Sequence, residues 1–157
     1  MKKVLATAAV LIAATLTPAA TAGQRSDTAK NLNRGLQGTP MANTGYALEK
    51  AAYRKRISPY LIAAIAGTES SFGAAACRSN RYNAFGLSSC GTGWRVPNFQ
   101  SWAEAYEFMA GFLTSRWPGA TSPYSFRGYA ACSDCWARKV AYWMRARFGV
   151  SERVAYP

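Results

Sequence analysis

Apolar residues recur at helical spacing in three stretches of this chain, and a fourth stretch has no polar face at all. The first begins near Asn43 or Thr44 and carries Tyr46, Leu48, Ala51, Ala52 and Tyr53 to the basic end Arg54-Lys55-Arg56. Cations suit the C-terminal end of a helix dipole, so the basic triplet reads as structural. The fourth kind follows at once, from Ser58 to Gly73: Leu61 to Ala66 are apolar without interruption, which predicts burial on every side. Ser58 is placed to cap this helix, Pro59 suits its first turn, and Gly73 suits a left-handed stop. A third helix opens at Ser101, with Trp102, Ala105, Phe108, Met109, Phe112 and Leu113 on its apolar stripe, and ends at Pro118-Gly119. The last runs from about Cys135 to Phe148, with Trp136, Val140, Trp143 and Met144 inward and Gly149 as its stop.

Between these elements the periodicity fades. Ala74 to Gln100 reads as an ordered loop with a short β-ribbon around Gly91 to Trp94, and a long loop in a small domain is usually functional. Ser122 to Ala131 reads as a turn with a short helical piece, and residues 150–157 as a tail. Residues 23–43 are polar and rich in Asn, Gly, Thr and Gln, which predicts a flexible lead-in. Before them, Lys2 and Lys3 precede an apolar run from Val4 to Leu16, with small residues at Ala20 to Ala22. That is the pattern of a secretory signal over residues 1–22, too short to remain as a stable membrane span.

Charge and composition narrow the chemistry. The chain has 157 residues and a net charge of +12, and the leader accounts for two of its 19 basic residues and none of its seven acidic ones. An exported, strongly basic chain calls for an anionic partner such as a cell-wall polymer, and export argues against nucleic acid. Histidine is absent, which removes Ser-His and Cys-His nucleophilic schemes and His-based zinc sites. Hydrolysis here has to run on carboxylates. Ser101 with Glu104 is a capping-box pair, which gives Glu104 a structural task. Glu69 differs: it falls four residues after Ile65 and seven after Ile62, on the side of a buried helix. Burial there disfavours the anion and holds a proton ready for donation, with hydroxyls of Thr68, Ser70 and Ser71 around it. Export also makes disulfides the expected state of Cys77, Cys90, Cys132 and Cys135, for which three pairings exist. A bridge between Cys77 and Cys90 would close a loop worth about 3 kcal/mol. Cys132-x-x-Cys135 reads as a structural bridge, since no βαβ unit surrounds it.

The segment Ala64-Ile65-Ala66-Gly67-Thr68-Glu69-Ser70-Ser71-Phe72-Gly73, with Tyr82-Asn83-Ala84-Phe85-Gly86-Leu87 after it, resembles the catalytic block of the lysozyme-like superfamily. It is most similar to the endo-β-N-acetylglucosaminidase branch of bacterial wall hydrolases, and Ala51 to Phe72 also resembles lytic transglycosylases. Ser101 to Ala105 after Val96 to Gln100, and Gly128-Tyr129-Ala130-Ala131, are similar to later glucosaminidase motifs, so the likeness runs from about residue 44 to 149.

The resemblance implies a mainly α, lysozyme-like single domain that acts on peptidoglycan glycan strands; the leader places it as secreted or periplasmic, and a monomer without metal or cofactor is expected. It implies Glu69 as the acid, Tyr82, Asn83 and Phe85 along the sugar groove, and Tyr129 facing the reacting sugar; Ser70, next to the acid, is expected to bind substrate as well. One departure stands out: no acidic residue lies between Glu69 and Glu104, where the family carries its second carboxylate. Two-carboxylate hydrolysis is then unavailable, and the substrate's own acetamido or hydroxyl group has to complete the reaction.

Overall fold

A computed structural model of the chain describes residues 22–87 and 96–153, with side chains from residue 27 onward. The described residues form five α-helices and no strand: α1 (Ala22–Leu36), α2 (Gly45–Arg54), α3 (Pro59–Ser70), α4 (Trp102–Arg116) and α5 (Ser133–Phe148). The expected secretory signal lies almost wholly in residues 1–21, and the expected β-ribbon at Gly91 to Trp94, so both fall outside the described residues. No helix among the described residues is long and apolar enough to cross a membrane.

The helix α3 sits at the centre because its sequence leaves it no surface to expose. Leu61 to Gly67 are all buried, with α5 and α2 packed along it. The ends of α3 differ from the sequence reading. Ser58 is buried and its hydroxyl has no hydrogen-bond partner among the described residues, so Pro59 at the first position starts the helix without a side-chain cap. The left-handed stop falls at Ser71 (φ 51), two residues before Gly73, and the Phe72 N–H closes the end on the Ala66 carbonyl at 3.0 Å. Phe72 folds back over Gly67, where a Cβ would lie 2.6 Å from its ring.

The lead-in expected over residues 23–43 is corrected by α1. Its composition is polar, yet Ala29, Leu32 and Leu36 fall at i, i+3 and i+7 and are all buried, a narrow stripe that suffices because α2 and α5 supply the opposing faces. Polar groups pin it as well. Asn33 Oδ1 accepts from the Gly45 N–H at 2.7 Å, and Asn31 Nδ2 donates to the Phe148 carbonyl at 3.1 Å. The start of α2 and the end of α5 are thereby tied to α1.

In α4 the capping pair appears with a shifted register. Ser101 Oγ accepts from the Glu104 N–H at 3.2 Å, while Glu104 Oε2 accepts from the N–H of Gln100, one residue before the cap, at 2.8 Å. The last helix opens at Ser133, slightly earlier than its periodicity suggests, and ends at Gly149 in the left-handed region (φ 67). Cys132 and Cys135 form a disulfide across its first turn. Cys77 is disulfide-bonded too, and Cys90 lies outside the described residues.

Candidate active site at the end of the buried helix

The last turn of α3 delivers Glu69 to a cavity of about 330 Å³. Its walls come from α3, the loop 85–87, α4 and the loop 128–130. Each carboxylate oxygen of Glu69 has its own neighbour. Trp136 Nε1 donates to Oε1 at 2.6 Å. Oε2 lies against Gly86, where a Cβ would come within 2.7 Å of it. Gly86 has φ +66, so its backbone and its missing side chain both require glycine.

Burial pushes the Glu69 carboxyl above its ordinary value of 4.5, and the Trp136 hydrogen bond and the positive charge of Lys139 only partly oppose the shift. Trp136 is itself held: it is 5 % exposed, with Tyr129 stacked on it at 4.4 Å and Phe126 edge-on at 6.2 Å. The Tyr129 hydroxyl donates to the Phe85 carbonyl at 3.0 Å. Burial, together with the nearby charge of Glu69, raises the Tyr129 phenol well above its usual range. Tyr129 is a neutral platform there and not a base.

The residues expected in the groove divide. Glu69, Phe85 and Tyr129 all line the cavity, although most of Phe85 is buried with its ring edge-on to Tyr106 at 6.4 Å. Ser70 does not reach it. Its hydroxyl donates to the Ala84 carbonyl at 2.8 Å and accepts from the Gly73 N–H at 2.9 Å, so it fastens the loop to the helix. Tyr82 packs edge-on against Trp102 at 5.2 Å and takes a hydrogen bond from Arg81, away from the cavity. Asn83 is buried and donates to the Leu87 carbonyl, closing the turn that presents Phe85, Gly86 and Leu87. The polar pocket expected from Thr68 and Ser71 also dissolves: Thr68 bonds back to the Ala64 carbonyl at 3.0 Å, and Ser71 forms the helix stop.

Several contributors escaped the sequence reading. Trp136 reads as a core residue from its period, and its N–H meets a carboxylate 67 positions away. Phe108 and Phe112 read as core from their period, yet both line the cavity, and so does Arg116 one turn further along α4. The remaining carboxylates do not. Glu107 pairs with Arg54, Glu152 with Arg145 and Asp27 with Lys30, Glu104 caps α4, Glu49 is buried on α2, and Asp134 lies in the first turn of α5. Among the described residues Glu69 is the one carboxylate of the cavity, and no three Cys, Asp or Glu side chains gather as metal ligands. No protein-family model matches the chain, and no curated protein matches it.

Proposed function

We propose that this protein cleaves the β-1,4 glycan strand of peptidoglycan as an endo-β-N-acetylglucosaminidase, with Glu69 as general acid on a lysozyme-like helical domain. The observation that carries the reading is a carboxyl inclined by burial to keep its proton, fixed in the wall of an aromatic cavity. The cavity volume falls at the small end of the range of about 300–1,000 Å³ common for ligand sites, which suits a sugar residue of an extended chain. The basic surface and the exported, wall-facing location belong to the same reading, with anionic wall polymers as a diffuse partner.

The chemistry follows from the two oxygens of Glu69. Oε1 accepts the indole N–H, so the acid's proton resides on Oε2. Oε2 gives that proton to the glycosidic oxygen as the C1–O bond breaks and the ring gains oxocarbenium character. No second enzyme carboxylate is at hand, so the carbonyl oxygen of the 2-acetamido group bonds to C1 and holds the charge. Water then attacks C1, the Glu69 carboxylate takes its proton, and the acetamido group is released. Tyr129 and Trp136 keep the carboxyl in place throughout.

The single carboxylate also favours one other outcome. If a muramic 6-hydroxyl traps C1 in place of water, the product is a 1,6-anhydro end and the enzyme is a lytic transglycosylase. Mass spectrometry of borohydride-reduced products from purified peptidoglycan separates the two, with wild type and Glu69→Gln side by side. Reduced glucosamine ends made by wild type alone are expected. Anhydro-muramic ends would move the reaction to transglycosylation, and folded wild type that makes no new ends would leave a wall-binding protein without turnover.

A further inference from the structure

The cavity holds a second charged group that the cleavage chemistry does not use. Phe108, Phe112 and Arg116 fall at i, i+4 and i+8 on α4, so they form one stripe about 12 Å long by the helical rise. Two rings lead along it to a guanidinium. Phe108 and Phe112 lie parallel with centroids 6.5 Å apart, Phe112 meets Trp117 edge-on at 5.9 Å, and Arg116 lies over the Trp117 ring at 5.9 Å. Arg116 makes no ion pair among the described residues, and the cation that acts on Glu69 is Lys139 on α5. The guanidinium is therefore not the counter-ion of the acid. A helix-end arginine serving only the dipole needs no cavity before it, whereas this one ends an aromatic wall that faces the acid's own chamber.

From this arrangement we infer that Arg116 is a specificity residue, recognising a carboxylate carried by the glycan strand while the reacting sugar lies against Glu69. The inference rests on the glycan-cleaving reading. A guanidinium offers a planar fork that matches a carboxylate, and Arg116 is exposed at the rim of the cavity, where a carboxylate on the strand can reach it. Two groups on a wall glycan supply that chemistry. One is the lactyl carboxylate of muramic acid, free only after its stem peptide has been removed. The other is a carboxylate on the stem itself. In the first case an amide-hydrolysing reaction has to act upstream of this protein.

The test is equilibrium binding to the full-length chain, read by NMR titration, so it does not depend on turnover. The probes are the N-acetylglucosaminyl-N-acetylmuramic acid disaccharide, its lactyl methyl ester, and the same disaccharide bearing a stem peptide. Wild type is expected to bind the free acid or the peptide-bearing form about tenfold more tightly than the ester, the size of one charge-assisted hydrogen bond. Arg116→Gln should abolish that preference, and Arg116→Lys should keep part of it, since a point charge lacks the fork. Tighter binding of the free acid assigns the stripped strand, and tighter binding of the peptide-bearing form assigns the stem. Equal affinity of wild type for all three probes, a preference that survives Arg116→Gln, or no binding of any probe would overturn the inference. Polymer cleavage measured beside it reports separately on the glycan-cleaving reading.

Discussion

Tyr82 and Asn83 stand within five residues of Phe85, Gly86 and Leu87, yet the two groups serve opposite sides of the same turn. The first pair is spent on architecture: Tyr82 packs on Trp102 at the start of α4, and Asn83 closes the turn on Leu87. The following three line the cavity, and Gly86 touches the acid. Nearness in sequence to cavity-lining residues does not put a side chain in the cavity. What decides is the direction of the backbone, which here turns back at Gly86 in a conformation open to glycine (φ +66).

The largest effect is expected at Glu69 itself. Glu69→Gln keeps an acceptor for the indole N–H and removes the donated proton, so glycan cleavage should drop by about 10²–10⁴-fold in a folded protein. The same variant reports on burial. Because the folded chain holds the Glu69 proton above its ordinary value of 4.5, it binds a proton that the unfolded chain has released, and wild-type stability falls as pH rises through that window. Glu69→Gln should therefore melt higher than wild type at neutral pH, with the gap closing once the pH drops to the ordinary carboxyl value. Thermal melts across that range decide it.

Gly86→Ala is next in size. It places a carbon against Oε2 and strains the turn by about 1–3 kcal/mol, so both the melting temperature and the cleavage rate should fall. A variant that melts lower but cleaves normally would remove Oε2 as the donor. Trp136→Phe keeps the ring and loses the N–H. Since that bond favours the anion, its loss should raise the Glu69 pKa further and move the alkaline limb of the pH–rate profile upward, while the rate at low pH falls about tenfold through looser positioning. The wild-type profile itself should lack an acidic limb from a second carboxylate. The smallest effect on turnover belongs to Asn83→Ala, which should cost about 1–3 kcal/mol of stability through the lost turn bond and leave the rate per folded molecule intact. A catalytic defect in folded Asn83→Ala would return Asn83 to the sugar groove.

A feature can be read from the sequence to the extent that its cause is local. The buried course of α3 and the raised pKa of Glu69 followed from an unbroken apolar run and the position of one carboxylate on it. The helix α1 was hidden because its stripe is three residues wide in a polar segment, and only α2 and α5 reveal what it faces. Ser70 and Asn83 were misplaced for another reason. A hydroxyl or an amide beside an acid has two possible partners, a ligand or a carbonyl, and the loop that brings the Ala84 and Leu87 carbonyls to them is not written in the motif. Trp136 sits on a helical stripe whose period predicts its burial well and says nothing of what lies across the gap.

Gly86 has one more consequence, and it concerns handedness. Its two α-hydrogens are equivalent in free glycine but not here: one points where an L side chain would strike Oε2 of Glu69, while the other takes the direction of a D side chain. A positive φ is the natural conformation of a D-residue. Semisynthesis with D-alanine at this position would therefore retain the turn and spare the carboxyl, while L-alanine would disturb both. The Glu69 carboxyl is guarded by the stereochemistry of a residue that has none of its own.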